Sequence, residues 1–309
     1  MDYRRITAFS GIGQSHKKLK SKTAAIIGAG AIGSNCALLL AKSGIGKLII
    51  ADRDIVEPEN LPATPYLLND IGKPKAMALK ALIAKANPET SVAEISEDID
   101  HANIEKLKAD IIMDCTDNLE TRFLLNDFCM KYHIPLVHAS ALGSTITIFN
   151  VVEDACLSCI YSGKIPAETC ETAGILPAAA LIGAAMQANE AIKMLLGKNH
   201  EKNLVRSNIW NNTFFSLNAK KQKNCKAHTG VYEYLNGKGS RAIKMCGSDM
   251  FQIKGRPVDL KRLNKILKGK NFGHCITSEK ITVFENGRAL IRAKSEREAK
   301  SIYSRIIGN

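Results

Sequence analysis

Short β-branched runs alternating with longer helical stretches predict an α/β chain, with a doubly wound, mostly parallel sheet and a small C-terminal α+β domain. Two further observations agree with this. A glycine-rich turn joins the first apolar run to a helix, and the composition, 45% hydrophobic and 24% charged over 309 residues, is ordinary globular usage. A chain of this length buries roughly three quarters of its unfolded surface, so a substantial core is available.

In order, Ala24–Ile27, Leu48–Ala51, Ile111–Met113 and Leu136–His138 read as buried parallel strands. Helical patterns lie between them at about 31–43, 74–87, 101–108 and 118–132. After Gly143 the texture changes to a strand over Ser144–Val152, a Cys-bearing turn, a small-residue helix near 177–196 and strand again over Val205–Leu217. Asn218–Gly230 reads as a linker. The division expected is 1–230 for the main domain and 231–309 for a β-α-β-β-α appendage, with helices near 259–268 and 295–306.

The chain has 43 Lys+Arg and 30 Asp+Glu, a net charge of +13. Residues 1–230 hold 26 basic and 23 acidic side chains, whereas residues 231–309 hold 17 and 7, so +10 of the excess sits in the appendage. Aromatic residues are sparse there, which makes nucleic acid a poor partner and a solvated face or an acidic protein partner the better readings. No uncharged run reaches the ~20 apolar residues of a membrane span, and the N-terminus lacks a secretory pattern, so a cytoplasmic, reducing compartment is expected. Nine cysteines then read as buried thiols, metal ligands or nucleophiles rather than a disulfide framework.

Gly28-Ala29-Gly30-Ala31-Ile32-Gly33 follows a strand and opens a helix. Gly28 permits the tight turn, Gly30 lets backbone approach a phosphate, Gly33 lets the helix pack on the strand, and the helix N-terminus beginning at Ala31 favours an anion. This is Rossmann-like. Asp52 ends the next strand, where its carboxylate can accept from ribose hydroxyls. On this turn alone an NAD-dependent oxidoreductase is the leading candidate.

The segments Asp52-Arg53-Asp54-Ile55-Val56-Glu57-Pro58-Glu59-Asn60-Leu61, Gly72-Lys73-Pro74-Lys75-Ala76 and Asp114-Cys115-Thr116-Asp117-Asn118, followed by Arg122, change that reading. From about Tyr3 to His228 the chain resembles the ThiF/MoeB/HesA family, relatives of the ubiquitin-activating enzymes. The resemblance implies an ATP-dependent adenylyltransferase that moves AMP onto a carboxylate, usually the C-terminal glycine of a ubiquitin-like sulfur-carrier protein. It implies that Lys75 contacts phosphate, Asp117 binds Mg²⁺, Asp52 binds ribose, and Asp54 and Asn60 line the nucleotide pocket. Arg5 matches the place from which family members send an arginine into a partner subunit's site, which implies a homodimer. The chemistry agrees with these residue types, because a carboxylate attacking the α-phosphorus brings anions together and requires cations. Taken singly, Lys75 also reads as a solvated lysine and Asp117 as a helix cap. The family's Asn-Leu-x-Arg-Gln is Asn60-Leu61-Pro62-Ala63-Thr64 here. Ala63 thus stands where the resemblance expects a phosphate-contacting arginine; either Arg53 or Lys73 substitutes, or the acceptor brings a cation, or the enzyme is impaired, and this opens the acceptor to a small-molecule carboxylate in cofactor biosynthesis. A non-catalytic nucleotide-binding scaffold of the same fold is the remaining alternative.

Cys156-Leu157-Ser158-Cys159 and Cys225-Lys226-Ala227-His228 are two pairs with tetrahedral-ligand spacing. They predict a structural Zn²⁺ clip on Cys156, Cys159, Cys225 and His228, with redox chemistry at one pair as the rival. The family normally has four cysteines, so His228 is a departure. Cys170 lies in a polar stretch where some family members carry a thiol that forms covalent adducts, although Glu168 and Glu171 oppose its activation. Cys36, Cys115 and Cys129 read as buried thiols, His138 as a half-buried histidine with lining of the acceptor site as the alternative, and Cys246 as a second candidate thiol.

Overall fold

The computed structural model describes residues 1–152, 154–161, 174–238, 250–253 and 255–307. Cys170 and Cys246 lie outside the described residues. The chain separates into two compact units, Met1–Lys238 and Gly239–Asn309.

The first unit is built on an eight-stranded sheet. Its strands are β1 (Thr23–Ile27), β2 (Lys47–Ala51), β3 (Ser91–Ile95), β4 (Ile111–Asp114), β5 (Leu136–Leu142), β6 (Thr145–Val151), β7 (Leu204–Asn208) and β8 (Thr213–Leu217), in the order β3-β2-β1-β4-β5-β6-β7-β8. The pairs from β3 through β5 are parallel and those from β5 to β8 are antiparallel. Strand alternation sends Ala24 and Ile26 of β1 to one face and Ala25 and Ile27 to the other. Helices α2 (Ala31–Lys42), α3 (Lys75–Ala86) and α6 (Pro177–Leu195) pack on the first face. On the second lie α4 (Leu119–Tyr132), the short α5 (Leu157–Ile160) and the cysteine pairs. A short N-terminal helix, α1 (Arg4–Ala8), is held through Tyr3, whose hydroxyl accepts from Asn87 Nδ2 at 2.9 Å.

Three elements differ from the sequence reading. The expected helix at 101–108 is a 3-10 turn over Ile104–Leu107, with no room for a longer helix before β4. Ser91–Ile95 is the edge strand β3, half-exposed and therefore without a continuous apolar run to announce it. The run Val205–Leu217 folds back as the β7–β8 hairpin, with Asn212 at φ 51° in its turn.

The second unit is a five-stranded antiparallel sheet, β10-β11-β12-β13-β9. It comprises β9 (Met250–Ile253), α7 (Leu260–Leu267), β10 (Lys270–Asn271), β11 (Cys275–Thr277), β12 (Ile281–Phe284), β13 (Ala289–Arg292) and α8 (Glu296–Ile306). Its core gathers Leu263, Ile281, Val283, Ala289, Ile291, Ala299 and Tyr303. Asp259 and Ser295 cap the two helices through their side chains, as their residue types favour.

Candidate active site

The glycine turn joins β1 to α2 at the carboxyl edge of the parallel strands, where doubly wound sheets bind ligands. Gly28 has φ 91°, and a Cβ there would lie 2.6 Å from the Cys115 carbonyl oxygen. A Cβ on Gly33 would fall 1.8 Å from the Gly28 carbonyl oxygen, so helix and turn touch only because it is glycine. Among the described residues, a Cβ on Gly30 would meet nothing within 4 Å, the room that backbone approach to a ligand requires. No side chain caps α2, so its first-turn amides carry the helix's positive end unmasked.

Asp52 follows β2 and braces the turn: its Oδ2 accepts from Ala29 N at 2.6 Å and its Oδ1 from Asp54 N at 2.7 Å. Burial pushes this carboxyl up to about 6, against the pull of Lys75. A carboxylate has about four lone-pair directions, so these bonds leave acceptor capacity for a ligand hydroxyl. Lys75 begins α3, is buried, and places Nζ 3.2 Å from Asp54 Oδ2. Burial alone would pull its ammonium down, but Asp54 and Asp52 outweigh that and hold it well above an ordinary lysine. Arg53 reaches Asp98 at 3.3 Å and Asp54 at 3.7 Å.

Asp117 is exposed in the turn after β4, and its charge is felt by both Lys75 and Arg53. The N-cap of α4 is Asn118, whose side chain accepts from Thr121 N at 2.9 Å. Asp117 therefore does not serve as that cap. Asn60 sits in a 3-10 turn, its Oδ1 accepting from Glu57 N at 2.9 Å, and the Ala63 carbonyl accepts from Asn35 Nδ2 at 3.1 Å. Arg5 is exposed on α1 and forms no ion pair with the described residues.

The metal-type residues converge on the opposite face of the sheet. The ligand atoms of Cys156, Cys159, Cys225 and His228 all lie within 4.8 Å of one another. Cys156 Sγ is 3.8 Å from Cys159 Sγ and 3.5 Å from Cys225 Sγ, whereas a Zn–S bond of about 2.3 Å implies about 3.8 Å between sulfurs in a tetrahedron. His228 Nε2 is buried without a hydrogen-bond partner among the described residues. Three sulfurs and an orphaned imidazole nitrogen fit a closed tetrahedral Zn²⁺ site. The short helix α5 brings Cys159 back over Cys156, and a 3-10 turn does the same for His228 and Cys225.

Sequence reasoning missed Asp98 as the partner of Arg53 and treated His138 as half-buried. His138 is fully buried, with Nδ1 2.7 Å from Asp114 Oδ2. No local signal marks either contact, because each joins segments more than twenty residues apart.

The model of the ThiF family matches residues 3–227. The chain belongs to the ThiF family. This ThiF-family chain is 34% identical to the sulfur carrier protein ThiS adenylyltransferase of Bacillus subtilis (strain 168), over 99% of each chain. It is also 34% identical to the SAMP-activating enzyme E1 of Haloferax volcanii, over 58% of this chain and 69% of that one. Among solved structures, Escherichia coli MccB with ATP superposes with a TM-score of 0.60 and 25% identity, over 69% of this chain and 68% of that chain. The chain is thus an enzyme of the adenylyltransferase class. No helix among the described residues is long and apolar enough to cross a membrane.

Proposed function

We propose that the protein uses ATP to adenylate a carboxylate, the C-terminal glycine of a ubiquitin-like sulfur-carrier protein, and that the acyl group then passes from the adenylate to a thiol or sulfur donor with release of AMP. The observation that carries this reading is the grouping of the open Gly30 turn, buried Lys75 and exposed Asp117 at one edge of the sheet. Full-length similarity to a protein named for adenylylating ThiS supports a protein acceptor over a small-molecule carboxylate.

The turn and the α2 N-terminus receive the phosphates through backbone N–H groups. The Lys75 ammonium, kept charged by Asp54 and Asp52, lies against the α-phosphate as the acceptor oxygen attacks and pyrophosphate leaves. Asp52 orients the ribose with its remaining lone pairs while holding the turn. Asn60 offers its side-chain amide N–H groups to the nucleotide. Asp117 would hold Mg²⁺, which spreads the phosphate charge when bound. Arg53, released from Asp98, replaces the guanidinium missing at Ala63. Arg5, without an ion pair to the described residues of its own chain, completes the site of a second copy in a homodimer. Cys170 is a candidate thiol for the transfer. Cys156, Cys159, Cys225 and His228 hold a structural Zn²⁺ with no open position for chemistry.

ATP–pyrophosphate exchange tests the reading. Exchange that appears only when a sulfur-carrier protein with an intact C-terminal carboxylate is added supports it. ATP binding without exchange under any carrier or small carboxylate points to a scaffold, and tighter binding of NAD than ATP points to an oxidoreductase.

A further inference from the structure

The turn that presents Asp117 is connected to the cysteine clip by a buried side-chain chain. Asp114, wholly buried at the end of β4, accepts at Oδ1 from Thr116 N at 3.0 Å and Thr116 Oγ1 at 2.7 Å. Those bonds shape the turn preceding Asp117. The other Asp114 oxygen lies 2.7 Å from His138 Nδ1, on the adjacent strand at the register position Asp114↔His138. The far ring nitrogen, His138 Nε2, is 3.0 Å from the Tyr161 hydroxyl, and the rings meet edge-on at 85°. Tyr161 directly follows α5, the turn that carries Cys159. Arg122 closes the cluster from α4, donating to the Thr116 carbonyl and lying 3.9 Å from Asp114 Oδ2.

We propose that His138 and Tyr161 are positioning residues, which lock the Asp114–Thr116 turn against the metal clip and so set where Asp117 stands for Mg²⁺. This rests on the reading of Asp117 as the Mg²⁺-binding carboxylate. The charge states of Asp114 and His138 assign a direction to these hydrogen bonds. Burial raises the Asp114 carboxyl, but His138, Arg122 and Thr116 more than offset this and keep it below the usual carboxylate range, so it accepts. His138 Nδ1–H must then donate. Burial lowers the imidazole against the opposing pull of Asp114, leaving the ring neutral, so Nε2 accepts and Tyr161 O–H donates. A neutral ring between an ionised carboxylate and a hydroxyl gives both ring nitrogens of His138 a hydrogen-bond partner while fixing its orientation, the arrangement by which residues behind a metal ligand tune affinity without touching the metal.

The test uses the full zinc-loaded chain and its Tyr161→Phe and His138→Asn variants. Tyr161→Phe removes one hydroxyl and keeps the packing ring. ATP binding is titrated by calorimetry with no added Mg²⁺ and across Mg²⁺ concentrations. The expected result is an unchanged metal-free ATP affinity, with the Mg²⁺ concentration for half-saturation raised about tenfold in Tyr161→Phe. Spectra of ¹⁵N-labelled histidine should show His138 as the neutral Nδ1–H tautomer, with its Nε2 signal shifted in Tyr161→Phe. A half-saturation unchanged in Tyr161→Phe, or a charged or Nε2–H ring, overturns the proposal alone. ATP binding indifferent to Mg²⁺ in the unaltered protein overturns the reading of Asp117 and this proposal with it.

Discussion

Two regions of the first unit, the carboxyl edge of its parallel strands and the cysteine clip, handle their charged and polar groups in opposite ways. At the nucleotide edge the groups answer one another: Lys75 pairs with Asp54, Arg53 with Asp98, and Asp52 with the amides of Ala29 and Asp54. At the clip, three sulfurs crowd together beside a buried His228 nitrogen that has no hydrogen-bond partner among the described residues. The nucleotide edge holds its charged groups as ion pairs among themselves. The clip groups four ligand-type atoms within 4.8 Å of one another, a set that a tetrahedral ion would satisfy. A ligand at the first should therefore govern activity, and a ligand at the second stability.

The largest expected effect breaks the clip. Chelation, or Cys156→Ser, should release one equivalent of zinc and lower stability by about 4 kcal/mol or more, the amount lost on removing a ligand present at a thousandfold its Kd. Zinc release by absorbance and a thermal melt measure this. An unchanged melting temperature after zinc loss would remove the distinction between the two regions.

Next come the charged groups at the nucleotide edge. Lys75→Ala should reduce ATP–pyrophosphate exchange about 10²- to 10³-fold, the usual loss on deleting a group aimed at developing charge. Asp117→Asn should reduce exchange comparably and alter its Mg²⁺ dependence, while stability stays within about 0.5 kcal/mol because the side chain is exposed. A melt that falls in step with activity in Asp117→Asn would mean the carboxylate is structural.

A finer contrast lies within the turn itself. Gly33→Ala forces a methyl to within 1.8 Å of the Gly28 carbonyl oxygen and should cost about 3 kcal/mol or more. Gly30→Ala places its methyl in open space and should leave the melt almost unchanged while weakening ATP binding several-fold. Equal losses of stability in the two variants would show that Gly30 is not a ligand-facing position.

The smallest effect is in pH. Burial pushes the Asp52 carboxyl up to about 6 in the folded protein against an ordinary 3.8, so between those values the native state holds a proton that the unfolded chain releases. Its contribution to stability is present below the ordinary value and is lost as pH rises toward 6. Asp127 on α4, pushed up to about 6 by burial, contributes with the same sign in the same window. Denaturant titrations at pH 4.5 and 7 should therefore show a smaller pH-dependent loss in Asp52→Asn than in the unaltered protein. An unchanged dependence would exclude Asp52 from the window.

The strand, glycine turn and helix at the carboxyl edge were legible in the sequence because these pieces are local. A strand, three glycines and a helix within about twenty residues dictate their own geometry, and Lys75 is fixed by the helix it begins. The clip was legible for a related reason, since each ligand pair sits within a single turn and only the meeting of the pairs is long-range. The edge strand β3 was not legible, because a half-exposed strand buries too little to leave an apolar run. The choice between Asp117 and Asn118 as the cap of α4 was also hidden, since both residue types cap well and only the backbone path after β4 selects Asn118.

By itself the sequence determined the α/β class, the phosphate-type turn, the identities of the metal-type ligands and the uneven distribution of charge, because periodicity, glycine sterics and residue chemistry act over a few neighbouring positions. Only the tertiary structure decided that Arg53 pairs with Asp98, that Lys75 shares two carboxylates, and that His138 is buried between Asp114 and Tyr161. Those contacts depend on which strands lie side by side and in what register, and pairing of distant segments is set by burial of the whole sheet rather than by any short stretch of chain.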